Sequence, residues 1–241
     1  MLVKIRRQKG PETPAYWQTF SFEGPRDLPV SAMLESLNAR DDLRDAESRP
    51  AERIRWECSC LQKMCGACAR VINGIPALAC ETFLRDLSGD AVTLEPLSKF
   101  PVIADLAVDR GIIHDSLRDG GIYLGHYRAG KKPNDPRLYS AARCLKCGLC
   151  LEACPNYARG IKFFGAAFAN ESFLCASVSE DRAGEISKAY AEYFAGGCSK
   201  VLACNKVCPM GIDTLSSIVG MTRIRKKRMD GEIKHSESDR T

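Results

Sequence analysis

Thirteen cysteines in 241 residues constrain this chain more than any other feature, because they are grouped rather than scattered. The first group is Cys58, Cys60, Cys65, Cys68 and Cys80. The second is Cys144, Cys147, Cys150 and Cys154. The third is Cys198, Cys204 and Cys208, and Cys175 stands alone. Cysteine at this density serves disulfides, zinc or iron–sulfur clusters. Met1–Gly10 holds two arginines but neither the apolar stretch nor the cleavage site of a secretory signal. The expectation is therefore a reducing compartment, where disulfides are rare and metal is the better use of thiols. A chain of this length can also bury a core without disulfide staples.

Spacing separates the metals. Cys60-x4-Cys65-x2-Cys68, with Cys80 further on, is plant-type [2Fe–2S] spacing. It does not match the paired C-x2-C knuckles of zinc sites. Such a centre needs a tight loop with backbone N–H groups turned towards sulfur, and Gly66 between two ligands tolerates the positive φ this demands. Asn73-Gly74 between apolar residues predicts a hairpin that returns Cys80 to the loop. Cys58 could replace Cys60 only by stretching the loop, so it reads as a spare thiol.

Cys144-x2-Cys147-x2-Cys150-x3-Cys154-Pro155 is the bacterial ferredoxin run, whose fourth cysteine ligates the other cluster. The third group repeats the run with Val201 where its middle cysteine would stand, and ends in Cys208-Pro209. Crosswise ligation gives a [4Fe–4S] cluster on Cys144, Cys147, Cys150 and Cys208. Cys154, Cys198 and Cys204 remain, three thiolates only. A valine methyl cannot coordinate iron, so the expected cluster there is [3Fe–4S]. A [4Fe–4S] cluster with water on its fourth iron is the alternative, but no acid/base pair lies nearby in sequence. Cys175 reads as a small core residue.

The predicted fold is α+β in two parts. Residues 1–105 form a β-grasp [2Fe–2S] ferredoxin-like domain. Residues 106–241 form an all-α domain with two cubane-type clusters and a basic tail from about residue 223. Val3 and Ile5, and Phe20 and Phe22, alternate as in half-buried strands. Pro29 opens a helical pattern with Val30, Met33, Leu34 and Leu37 on one face. Val92 and Leu94 suggest a further strand. After the loop Gly130–Pro136, Asp135 is a candidate N-cap with Pro136 at the first helical position. Phe163, Phe164, Ala166, Ala167 and Phe168 form an apolar patch that fits either core or a partner surface. The tail Arg223–Arg228 fits a solvated helix end, a partner contact or an acidic lipid surface.

Other function classes lack support. The net charge of +5 is too small to argue for nucleic acid. A zinc-stabilised nucleic-acid module would use the basic tail, but the cysteine spacings oppose it. No apolar run approaches the roughly 18 residues of a membrane span. There is no G-x-G-x-x-G, Walker or H-E-x-x-H motif. His114, His126 and His235 form no cluster. Three clusters and no reaction centre describe an electron wire, with no catalytic residue for substrate chemistry in this chain alone.

These residues resemble the iron–sulfur subunit of the succinate dehydrogenase/fumarate reductase family, from about Val3 to Arg223. The resemblance rests on Cys60 to Cys68, the Asn73-Gly74 turn, Phe100-Pro101-Val102-Ile103-Ala104-Asp105-Leu106-Ala107-Val108-Asp109, and both Cys-Pro runs with Val201 in place. It implies a flavoprotein subunit with FAD and a membrane-anchor cytochrome b subunit, on the cytoplasmic side of the cell membrane. Electrons would run from FAD through the [2Fe–2S], [4Fe–4S] and [3Fe–4S] clusters to quinone, or the reverse in fumarate reduction. Ubiquinone-using members carry a tryptophan and a histidine where this chain has Arg159 and Ser199. That favours menaquinone over ubiquinone and an anchor with haem b. Pro155, Asn156, Arg159, Ser199 and Val201 are the candidate quinone-side residues. A soluble or thiol-linked fumarate reductase, or a related dicarboxylate flavoprotein, is the alternative setting for the same wire.

Overall fold

The computed structural model describes residues 1–125 and 135–238, with side chains as far as Lys227. His126, residues 130–134 of the expected loop, and the side chains of Arg228 and His235 lie outside the described residues. The chain divides into two compact units. One comprises Met1–Arg110 and Leu145–Glu152, the other Gly111–Cys144 and Ala153–Thr241.

The first unit is built on a mixed five-stranded sheet. Its strands are β1 (Leu2–Arg7), β2 (Tyr16–Ser21), β3 (Ala69–Ile72), β4 (Ile75–Leu78) and β5 (Ala91–Glu95), in the order β2-β1-β5-β3-β4. β1 runs antiparallel to β2 and parallel to β5, and this pairing sets Val3 beside Phe20 and Val92. Val3, Ile5, Phe20, Val92 and Leu94 are all fully buried, as the period-two alternation requires. Full burial of such a side chain contributes about 1.5–3 kcal/mol.

Helix α1 (Val30–Asn38) follows Pro29, which occupies its N-cap, and it buries Val30, Met33, Leu34 and Leu37. The first N–H groups of a helix have no partner within it. Here Val30 N donates to Thr82 O at 2.9 Å and Ser31 N to Ala79 O at 3.0 Å. The start of α1 therefore grips the segment that carries Cys80.

The predicted hairpin joins β3 to β4, with Ile72 paired to Ile75 and both turn residues at positive φ (Asn73 48°, Gly74 77°). Asn73 also exchanges hydrogen bonds with Thr93 of β5. Two short strands, β6 (Val102–Ala104) and β7 (Ala107–Val108), form a second hairpin. The boundary expected after residue 105 falls in its turn. Asp105 there, at φ 48°, accepts N–H groups from Gln8 and Arg55, each at 2.9 Å. Its Oδ1 also lies 3.0 Å from Arg7 Nε, and both side chains are buried.

The second unit is helical. It contains α2 (Gly111–Asp119), α3 (Pro136–Ala142), the last residue of the boundary-straddling α4 (Leu149–Ala153), and α5 (Gly165–Val178). These are followed by α6 (Ala183–Tyr190), α7 (Ala203–Lys206) and α8 (Thr214–Ser238). α5 is central, packed against α2, α3, α6 and α8. Most of its residues are buried, including Phe168, Phe173 and Cys175. Phe163, Ala166, Ala167 and Phe168 are buried too, and Phe164 stacks on Tyr193 at 4.5 Å between ring centroids. The apolar patch is thus core, not a surface open to a partner.

Asp135 caps α3 as expected, with Pro136 at the first position. Its Oδ1 accepts Arg137 N at 2.9 Å, and its carboxylate is paired with the Arg137 guanidinium. The side-chain hydrogen bond from Arg137 holds the Asp135 carboxyl below the usual carboxylate range. A depressed pKa stabilises the fold fully above the unfolded value, and that stabilisation is lost as pH falls through the folded value. Asp135→Ala should cost about 1 kcal/mol. Amide exchange over residues 137–142 at pH 7 should quicken about fivefold, and the difference from wild type should shrink well below pH 3.8.

Candidate metal centres

The cysteine loops are held open by backbone geometry rather than by regular structure. Among the described residues eight non-glycine residues have positive φ, and five of them lie between cysteines of one group: Leu61, Lys63, Lys146, Lys200 and Leu202. Gly66 and Gly148 add two more such positions. Residues in this region cost energy unless the surroundings hold them there. A left-handed residue within a loop turns successive N–H groups to one side, forming a concavity that suits an anion.

In the first loop the effect is visible at the sulfurs. Cys60 Sγ accepts N–H groups from Gln62 (3.3 Å) and Met64 (3.2 Å). Cys65 Sγ accepts from Ala67 (3.4 Å), and Cys80 Sγ from Lys63 (3.3 Å). The Gln62 and Met64 N–H groups draw the Cys60 thiol down to about 7. Burial, reinforced by a hydrogen bond with Cys68, pushes Cys80 up to about 11. Cys60 also hydrogen-bonds with Cys65, so the four expected [2Fe–2S] ligands form two thiol pairs, Cys60 with Cys65 and Cys68 with Cys80, and Cys60 acts on Cys80 through its charge. Ala79 N donates to Cys68 O at 3.2 Å, which fixes Cys80 beside Cys68. Cys58 is exposed.

Cys147 and Cys150 belong to the first unit, and their segment is clamped by Glu152. That carboxylate accepts Ser98 Oγ at 2.6 Å and Lys99 N at 3.0 Å. Gly66 explains the close approach of the two ligand loops. A Cβ added there would lie 2.6 Å from Cys147 Cβ, and φ is +76°. Glycine at this position serves both the turn and the contact. Cys144 and Cys208 belong to the second unit, where the Arg143 guanidinium donates to Met210 O and ties their two segments together. Cys208 Sγ accepts Ile212 N at 3.4 Å.

Cys154, Cys198 and Cys204 line one cleft of about 380 Å³ in the second unit, with Val201 on its wall and Phe163, Phe194 and Ile218 behind. Burial raises the Cys204 thiol. Asn205, next in sequence, holds this loop to α8. Its Nδ2 donates to Asp213 Oδ1 at 2.9 Å, and its Oδ1 accepts Thr214 N at 3.1 Å. Of the candidate quinone-side residues, Ser199 and Val201 line the cleft, and Val201 is 58% exposed. Asn156 donates to Gly197 O at 2.6 Å and accepts Ser199 Oγ at 3.4 Å. Pro155 and Arg159 are exposed and do not line the cleft.

The donor chemistry fits iron–sulfur clusters: grouped thiols, N–H groups aimed at sulfur, and a mostly apolar cleft lined by three cysteines with Val201 on its wall.

Known proteins give the same picture. Residues 2–115 match the model of a 2Fe-2S iron-sulfur cluster binding domain, and residues 140–212 that of a 4Fe-4S dicluster domain. The chain is 32% identical over 231 residues to the succinate dehydrogenase iron-sulfur subunit of Bacillus subtilis, covering 91% of this chain and 90% of that protein. The chain belongs to the succinate dehydrogenase/fumarate reductase iron–sulfur subunit family. It is also 30% identical over 202 residues to the fumarate reductase iron-sulfur subunit of Escherichia coli, covering 80% of this chain and 81% of that one. A chain of the Mycobacterium smegmatis Sdh1 complex shares the fold, with a TM-score of 0.72 and 22% identity over 95% of this chain and 96% of its own.

The first loop yields a direct test. Cys58→Ser should leave every cluster signal of the anaerobically purified protein unchanged in EPR. Cys60→Ser should alter the reduced [2Fe–2S] spectrum, because it replaces a sulfur held by two N–H groups. Equal effects from both variants would contradict this ligand set.

Proposed function

We infer that the chain is the electron-transfer iron–sulfur subunit of a succinate:quinone oxidoreductase. It relays electrons between the FAD of a flavoprotein subunit and a quinone at a membrane anchor. The observation that carries this reading is the three cysteine groups, two with ferredoxin spacing and a third with Val201 in place of its middle cysteine, in a chain whose family is that of succinate dehydrogenase and fumarate reductase iron–sulfur subunits. When bound, the clusters supply one-electron transfer. The ligands are Cys60, Cys65, Cys68 and Cys80 for [2Fe–2S], and Cys144, Cys147, Cys150 and Cys208 for [4Fe–4S]. Cys154, Cys198 and Cys204 hold [3Fe–4S].

The chain's own contribution is to hold thiolates at fixed positions, present N–H groups to them and shield them with apolar walls. The close approach of Gly66 to Cys147 supports transfer from the first centre to the second. The half-exposed Val201, on the cleft of the last ligand set, supports an outlet to quinone there. No described helix is long and apolar enough to cross a membrane, so in this reading the chain is held at the cytoplasmic face by its anchor subunit. Arg159 and Ser199, in place of tryptophan and histidine, favour menaquinone and an anchor with haem b.

Anaerobically purified protein should contain about nine irons and about ten acid-labile sulfides per chain, and should co-purify from its native membranes with a flavin-bearing chain. Stoichiometric zinc with little iron would contradict the reading. Val201→Cys should supply the missing fourth ligand. The oxidised protein should then lose the [3Fe–4S] EPR signal that the wild type shows, and the potential of that centre should fall. A wild type without the signal would overturn the assignment of Cys154, Cys198 and Cys204.

A further inference from the structure

Two neighbouring carbonyls of the first cysteine loop are each held by a different guanidinium. Arg70, on β3, is 0% exposed and is among the largest fully buried side chains of the molecule. Its Nε donates to Cys68 O at 3.0 Å and its Nη2 to Glu57 O at 3.5 Å, and its guanidinium lies 4.8 Å from the Trp56 ring centroid. Arg110 donates from Nη2 to Ala67 O at 3.1 Å and also to the Glu57 carboxylate. Nη1 of each arginine is buried without a hydrogen-bond partner.

This arrangement is poor economy for folding alone. A buried charge costs several kcal/mol unless it is paired, and arginine does not escape by losing its proton. One carboxylate, Glu57, lies beside the two guanidinium groups: it pairs with Arg110, Arg70 reaches only its backbone carbonyl, and its side chain is itself 37% exposed. The surplus positive charge sits directly beneath the loop that carries Cys65 and Cys68. What it faces, once the ligands are loaded, is a centre with four thiolates and a net negative charge. Reduction adds one electron and deepens that charge. In a low-dielectric setting a nearby fixed cation favours the more negative state, and the net charge around a cluster is one of the quantities that set its potential.

We propose that the fully buried Arg70 and the largely buried Arg110, whose side chain is 15% exposed, form a cationic pair that raises the reduction potential of the [2Fe–2S] centre on Cys60, Cys65, Cys68 and Cys80. The inference rests on the ligand set proposed above. The arginines hydrogen-bond the loop's carbonyls, so they are positioning residues that act through the loop and through their field. No proton transfer is required: the centre gains one electron, from its partner in the complex or from dithionite in the test.

The test is an EPR-monitored redox titration of the cluster-loaded, full-length chain, with dithionite as reductant. Arg70→Met keeps the side chain's bulk and removes its charge. Its midpoint should move to a more negative potential, with the reduced-to-oxidised ratio at the wild-type midpoint falling about tenfold, or 59 mV for one electron. Arg70→Lys keeps the charge and should stay close to wild type. Glu57→Gln removes the negative charge that pairs with Arg110 and should move the midpoint in the positive direction. A purely structural role would not give shifts of opposite sign. If Arg70→Met fails to fold, the partly exposed Glu57→Gln decides alone, and an unmoved or more negative midpoint there overturns the proposal. A wild type with no reduced [2Fe–2S] signal would overturn the ligand set and this inference with it. A normal signal with unmoved midpoints would overturn the cationic pair only.

Discussion

A sulfur anion is stabilised by donors aimed at it, and in this chain the backbone supplies them. Leu61, Lys63, Lys146, Lys200 and Leu202 sit in the left-handed region although none is glycine. Each such residue is disfavoured by about 1–2 kcal/mol for an L-amino acid. The compensation lies in the N–H groups these turns present. Four of them point at the sulfurs of Cys60, Cys65 and Cys80. The rest of the fold can be read as the frame that keeps the loops in this shape. α1 grips the Cys80 segment by its first N–H groups, Glu152 clamps the Cys150 segment, and Asn205 with Asp213 ties the Cys204 loop to α8.

The two units solve the problem with different materials. In the first, a mixed sheet delivers ligands from strand ends and hairpins, where the register is fixed by fully buried alternate residues. In the second, a buried central helix and a cluster of aromatic rings provide a rigid wall behind the Cys154, Cys198 and Cys204 cleft. Both leave most of the ligands in irregular loops, Cys150 in α4 and Cys204 in α7 being the exceptions. An iron–sulfur centre asks for directed N–H groups, which helix and sheet ladders have already used.

Much of this was legible in the residues. The alternation at Val3 and Ile5, the helical stripe from Val30 to Leu37, the Asn73-Gly74 turn and the Asp135-Pro136 cap all announce their structures because each is a local preference with a chemical cause. Gly66 announced its positive φ, though not its second duty against Cys147. The apolar residues at Phe163–Phe168 were ambiguous, since core and docking surface have the same composition and only burial separates them. The five left-handed non-glycine residues carry no signal in their type. The roles of Arg7, Asp105, Arg70 and Arg110 were hidden for another reason. An arginine held inside the fold looks like a surface arginine until the chain has brought its partners to it: Asp105 to Arg7 and Glu57 to Arg110 from far along the sequence, the Cys68 and Glu57 carbonyls to Arg70 from nearer by.

The account stands on the claim that three thiol groups hold three iron–sulfur centres, the last of them short of one iron opposite Val201. Anomalous diffraction at the iron edge, from crystals of the anaerobically purified chain, tests it most directly. The account predicts iron peaks in three groups: a [2Fe–2S] pattern at Cys60, Cys65, Cys68 and Cys80, a full cubane at Cys144, Cys147, Cys150 and Cys208, and a cubane lacking its Val201-facing corner at Cys154, Cys198 and Cys204. A lone metal ion at any of the three groups, or a fourth iron facing Val201, would contradict it.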